Sequence, residues 1–154
     1  MNLRIIQLGK DKDAWLTEAM AEYRKRLGAL CKLEVLELPD VSIRQTGSQE
    51  LVIRKEADTI LARLEPDDFV VLLDEHGEQK TSLEFSAFLD SLSDRKRIVF
   101  VIGGVYGTDE RIRKRANVCL ALSRLTFTHR MARLILIEQI YRGLMIRSGR
   151  SYHV

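Results

Sequence analysis

Two segments carry ligand-binding residues directly after an apolar run: Leu73-Asp74-Glu75-His76-Gly77 and Gly103-Gly104-Val105-Tyr106-Gly107. Open α/β sheets bind their ligands at the carboxyl ends of strands, so loops of this kind are where chemistry is expected. Gly103 and Gly104 lack a Cβ, which lets the backbone approach a bound molecule and adopt turns with positive φ. A tight turn without a ligand is the plain alternative. The spacing is neither Gly-x-Gly-x-x-Gly nor a phosphate loop, because no Lys-Ser/Thr follows the glycines, and dinucleotide or nucleoside triphosphate chemistry loses ground. Groups able to move a proton near neutral pH are few: His76, His129, His153 and Glu138, a lone acid in an apolar stretch. Each has a plainer reading. His76 fits an exposed turn, His129 fits a support for the loop entering the last helix, and Glu138 fits a partner for Arg142 four residues on. The tail holding Tyr152 and His153 fits a frayed end.

Cations gather around these segments. Arg111, Arg113, Lys114 and Arg115 crowd one short stretch, and Arg124, Arg130, Arg133, Arg142, Arg147 and Arg150 recur beyond it. The net charge of +3 conceals an asymmetry: residues 1–94 hold 12 Lys and Arg against 19 Asp and Glu, a balance of −7, whereas residues 95–154 hold 13 against 3, a balance of +10. Such concentration is the footprint of a polyanion partner. Arginine in preference to lysine suits bidentate phosphate contacts and base stacking. The alternative is a solvated basic face that balances an acidic one, and Arg113 and Arg115 read as ordinary surface charge.

The elements that position these residues alternate short apolar runs with longer amphipathic ones, the pattern of an α/β domain. Strands are expected at residues 3–8, 33–38, 69–73, 98–102 and, more weakly, 118–122. The continuous runs Phe69-Val-Val-Leu-Leu and Ile98-Val-Phe-Val-Ile fit central strands of a parallel sheet, covered on both faces. Apolar spacing marks a helix from Trp15 to Leu27, a second from Leu51 to Leu64 and a third from Leu83 to Leu92. Thr108-Asp-Glu opens a fourth, with Thr108 as its cap. Residues 39–49 are polar and aperiodic, so a mobile loop or irregular helix entry is expected. The last helix, about 131 to 146, is apolar around most of its circumference, and at the edge of a small domain a subunit interface is the simplest cover for it.

At 154 residues, 45% of them hydrophobic, the chain fits one domain with a self-sufficient core. Cys31 and Cys119 lie far apart among apolar neighbours, without metal-ligand spacing, and read as buried hydrophobes in a reducing compartment. The start of the chain turns polar too soon for a signal peptide, and no run reaches the roughly 20 apolar residues of a membrane span. A cytoplasmic protein without metal is expected.

Four strings occur in order: Phe-Val-Ile-Gly-Gly ending at Gly104; Leu122-Ser-Arg-Leu-Thr-Phe127-Thr-His129; Arg133-Leu-Ile-Leu-Ile-Glu138-Gln-Ile-Tyr141-Arg142; and the terminal Tyr152-His153. Together they resemble the RlmH family of SPOUT-class methyltransferases, and the likeness extends to Gly9-Lys10, Glu22-Tyr23 and Glu37-Leu-Pro39. Thr128 departs from the family pattern, where Pro is expected before the His. The resemblance implies a single-domain α/β fold with a mostly parallel five-stranded sheet and a C-terminal trefoil knot, an architecture that chain-threading rules alone would not suggest. It also implies S-adenosylmethionine as cofactor and N3 of a pseudouridine in large-subunit (23S) ribosomal RNA as target; the homodimer is expected from the apolar last helix. Cofactor positions carried over are Leu73, Gly103, Gly104, Leu122, Ser123, Arg124, Leu125, Thr126 and Phe127. Arg111, Lys114, Arg130, Arg133, Arg142 and Arg150 are the expected RNA contacts.

Methylation at N3 requires loss of the imide proton at or near attack. His153 is the first candidate acceptor and Glu138 the second, while Tyr152 would stack on the target base or orient His153. A non-catalytic RNA-binding module and an α/β enzyme acting on a small nucleotide remain as alternatives. Binding of S-adenosylmethionine separates the first from a methyltransferase, and steep salt dependence of substrate binding separates the second.

Overall fold

A computed structural model describes residues 1–154. The chain runs β1 (Asn2–Leu8), α1 (Ala14–Leu27), β2 (Lys32–Leu38), α2 (Ile43–Thr46), α3 (Gln49–Leu61), β3 (Asp68–Gln79), α4 (Ser82–Ser91), β4 (Arg97–Ile102), α5 (Glu110–Arg115), β5 (Val118–Ala121) and α6 (His129–Arg147). The sheet order is β2-β1-β4-β3-β5, and every pairing is parallel. The five expected strands and the main helices are all present.

Period-2 alternation along the strands builds the two layers. Leu3, Ile5, Val71, Ile98 and Phe100 pack with α1, α4 and α6 in one cluster, whereas Ile6, Leu8, Val70, Val99 and Val101 pack with α3 and α5 in the other. Helices on both faces explain why the central runs are apolar without interruption.

Three local features differ from the sequence reading. β3 continues past residue 73 to Gln79, with a register shift against β5 between Leu73 and Glu78. A Cβ on Gly77 would lie 2.7 Å from the β5 backbone at Cys119 and Leu120, so glycine admits this close pairing. Within residues 39–49 the chain forms the one-turn α2, capped by Ser42 and closed by Gly47 at φ +80°. The cap of α5 is Asp109, not Thr108; its carboxylate accepts from the Arg111 N–H at 2.8 Å.

Helix α6 is anchored at its first turn. Thr128 caps it by accepting from the Met131 N–H at 3.3 Å, a hydrogen bond that fixes the helix entry. Thr128→Ala is expected to lower stability by about 1 kcal/mol in urea denaturation. One turn on, Arg133 is 5% exposed, pairs with Asp11 at 2.6 Å and donates to the Leu8 carbonyl. That guanidinium ties α6 to the carboxyl end of β1.

The burial of α6 refines the expectation drawn from its apolar circumference. Leu136, Ile137, Ile140 and Leu144 are fully covered within the monomer by α1, α4 and the sheet. Met131, Ile135, Glu138, Arg142 and Met145, spaced three and four apart, form a stripe left exposed or half-buried.

Candidate active site

The carboxyl ends of β3, β4 and β5 sit side by side, with Leu73 paired to Ile102 on one flank and Leu120 on the other. Their loops enclose a cavity of about 560 Å³, within the usual range for a small-molecule site. Leu73 lines it from β3, and Gly103 and Gly104 line it from β4. From the β5–α6 loop come Leu122, Ser123, Leu125, Thr126 and Phe127. Three segments distant in sequence therefore meet in one place. Arg124, also expected there, is exposed and does not line the cavity.

Gly103 and Gly104 do not take positive φ; in this loop only Gly107 does, at +99°. Close packing behind the loop explains the two glycines instead. A Cβ on Gly103 would lie 2.5 Å from Thr108 Oγ1, and one on Gly104 would run into the Glu56 carboxylate. Both backbones can present themselves to the cavity because nothing projects from their rear.

Asp74 organises one rim. Its carboxylate accepts from the His76 N–H and from Arg113 Nε, both at 2.9 Å. Burial alone would raise this carboxyl, but the His76 N–H and the Arg113 guanidinium outweigh it and hold Asp74 below the usual carboxylate range. Arg113, read from sequence as plain surface charge, is thus a lining residue. His129, at the start of α6, also lines the cavity. Burial, with Arg133 and Arg130 nearby, depresses its imidazole below the ordinary value. The His76 ring is 82% exposed, but it sits within β3 and not in a turn, and it lines the rim of the cavity.

The tail forms a separate cluster. Tyr152 packs edge-on against Tyr141 at 4.7 Å, lies under the Arg142 guanidinium and donates to Glu138 Oε1 at 3.1 Å. Glu138 also accepts from Arg142 Nη2 at 2.6 Å and from Gln139 at 2.7 Å. Arg142 Nη1 reaches His153 Nδ1 at 3.3 Å. None of Glu138, Tyr152 or His153 lines the cavity of its own chain.

Charge pairing changes the reading of the arginines. Arg97 pairs with Asp68, Arg111 with Asp58, Arg113 with Asp74, Arg130 with Asp13, Arg133 with Asp11 and Arg147 with Asp90. Much of the asymmetry between the two parts of the sequence is cancelled across the fold. Arg133 is buried and closed to phosphate, and Arg111 has its donors engaged by Asp58, Asp109 and the Arg54 carbonyl. Arg142 serves the tail cluster. Lys114, Arg124 and Arg150 are exposed without an acidic partner, and Arg130 is exposed beside Asp13.

Cys31 and Cys119 are free, with burial pushing the Cys31 thiol up to about 11. No group of His, Cys, Asp or Glu is placed to hold a metal ion, and no helix is long and apolar enough to cross a membrane.

Residues 1–153 match the family described as Predicted SPOUT methyltransferase. Similar chains include proteins named Ribosomal RNA large subunit methyltransferase H from Streptococcus suis at 42% identity and from Clostridium beijerinckii and Ligilactobacillus salivarius at 40% each. In all three cases the match covers 99% of both chains.

Proposed function

The chain belongs to the SPOUT methyltransferases, in the RlmH family, and from that premise we propose that it methylates N3 of a pseudouridine in 23S ribosomal RNA with S-adenosylmethionine as donor. The supporting observation is the convergence of three strand-end loops on one cavity large enough for an adenosine-sized ligand. S-adenosylmethionine supplies an activated methyl group on a sulfonium. It also carries a carboxylate, and the lining offers charges of both signs in Asp74, Glu75 and Arg113. Leu73, Leu122 and Leu125 would enclose the apolar parts of the ligand, with backbone groups of the Gly103–Gly104 and 122–127 segments giving direction. Family membership also implies the trefoil knot.

The proton acceptor we assign is His153. It is exposed; its Nδ1 accepts from Arg142, which places the ring proton on Nε2, so Nδ1 becomes the proton acceptor once it is released from Arg142. Glu138 has both oxygens hydrogen-bonded and acts as a positioning residue for the tail, not as the base. Lys114, Arg124, Arg130 and Arg150 are the cations left for RNA phosphates.

A homodimer through the α6 stripe completes the reading, since Met131, Ile135 and Met145 lie outside both core clusters of the monomer. Ile135→Asp is expected to give a folded monomer by sedimentation. Ile137→Asp, at a fully buried position, is expected to unfold the chain. A dimeric Ile135→Asp protein would place the interface elsewhere.

Incubation with methyl-labelled S-adenosylmethionine and either free 23S RNA, large subunits or assembled ribosomes tests the activity. Label is expected on one pseudouridine of one of these substrates. No transfer to any, with donor binding intact, would leave an RNA-binding module.

A further inference from the structure

Glu56 lies on α3 between Val52 and Ile60, in the row of residues that the helix buries. It is 7% exposed, and its Oε2 is fully enclosed with no hydrogen-bond partner. The carboxyl rests against the rear of Gly104, in a space that a Cβ there would fill. A void of about 10 Å³ adjoins it, bounded by Leu8, Gly103, Gly107, Thr108, Asp109 and Ile112, and sits at the lower limit for one water molecule. The same glycine loop therefore has two faces: Gly103 and Gly104 line the donor cavity in front and the Glu56 void behind.

An unpartnered buried carboxylate is costly, so such a site selects the neutral acid. The charged groups around it reinforce that choice. Asp40 is the neighbouring charge, and Asp109, on the void wall, is already neutralised by Arg111. Burial first, and Asp40 second, push the Glu56 carboxyl up to about 7. Near neutral pH the group is thus divided between its two forms.

We infer that Glu56 is a positioning residue for the methyl-donor site, whose neutral carboxylic acid backs the Gly103–Gly104 loop when donor occupies the opposite face. Ligand pressing on the front of the loop closes the remaining access of water to the rear. Occupancy of the cavity then favours the protonated acid, and binding takes up a proton. The sign follows: affinity is full where Glu56 is already protonated, below about pH 7, and declines as pH rises above it.

This inference rests on the assignment of the cavity to the donor. The probe is S-adenosylhomocysteine, titrated calorimetrically into the wild-type protein and Glu56→Gln at pH 6 and pH 8.5, in buffers of different ionisation enthalpy. Gln keeps the shape and a donor but cannot ionise. Wild type is expected to weaken about 10-fold across this range and to take up protons at pH 7.5, corresponding to about one unit of pKa shift on binding. Glu56→Gln is expected to match wild type at pH 6, to lose the Glu56 component of the pH dependence, and to show correspondingly less proton uptake. Titration of the Glu56 carboxyl by carbon NMR in the wild-type protein, with and without ligand, gives the same answer without a variant. A midpoint unmoved by ligand, or proton uptake identical in Glu56→Gln, would overturn the role of Glu56 alone. Absence of binding by wild type at both pH values would overturn the donor assignment, and this inference with it.

Discussion

Gly103→Ala is expected to lose binding of S-adenosylmethionine by 100-fold or more, and adding Thr108→Ala is expected to recover most of it. The added Cβ would come within 2.5 Å of Thr108 Oγ1, a separation at which either that hydroxyl or the loop must shift, and the expected loss is that of the loop giving way. Thr108 Cβ is 3.8 Å away, so with the hydroxyl gone the contact becomes ordinary. A loss of about 100-fold corresponds to about 2.7 kcal/mol, in the range that overpacking imposes on a close-fitted site. The double variant separates two reasons for glycine. If the side chain at position 103 blocked the ligand directly, removing an atom behind the loop would not help. Recovery in the double variant therefore locates the constraint at the rear of the loop, and persistent loss locates it in the cavity. Gly103→Val adds two more carbons and should remove binding entirely, with a retained fold expected by circular dichroism.

These glycines mark the boundary of what could be read from the residue string. Their position after a buried strand was legible, because uninterrupted apolar runs such as residues 98–102 imply a central strand and hence a loop at the ligand-binding edge. Their reason was not, since Thr108 and Glu56 reach them only through the fold. Glu56 does leave a signal in the sequence: it sits four residues from both Val52 and Ile60, on the face α3 buries. The arginines show the opposite failure. Arg133 and Arg111 looked like phosphate ligands because sequence reports charge without partners, and Asp11 and Asp58 lie 122 and 53 residues away. The extension of β3 to Gln79 was hidden because Asp74, Glu75 and His76 break the apolar pattern while β5 still pairs with Glu78 and Gln79. The loop at 122–127, which we assign to the cofactor, has no periodicity of its own, and that role follows from the family resemblance alone.

Deletion of Tyr152 to Val154 is expected to leave donor affinity nearly unchanged and to reduce methyl transfer by at least about 100-fold, the lower end of what general acid–base assistance provides. The tail lies on α6 through Tyr141, Glu138 and Arg142, away from the cavity of its own chain. Glu138 and Arg142 belong to the stripe we assign to the dimer contact, so docking there carries His153 to the subunit boundary. From that position it would serve the cavity of the partner, and each active site would combine the loops of one chain with the tail of the other. Mixing two inactive proteins tests the arrangement. One carries Gly103→Val and keeps its tail; the other keeps its cavity and lacks the tail. After subunit exchange, shared sites give each heterodimer one cavity with intact loops and an intact tail opposite, and transfer should return toward half the wild-type rate per heterodimer. Sites built within single chains would leave every cavity with one defect, and no activity would return although native mass measurement showed the heterodimer. Glu138→Gln in the tail-bearing partner should then weaken the recovered activity, because the amide holds Arg142 and Tyr152 less firmly than the carboxylate does.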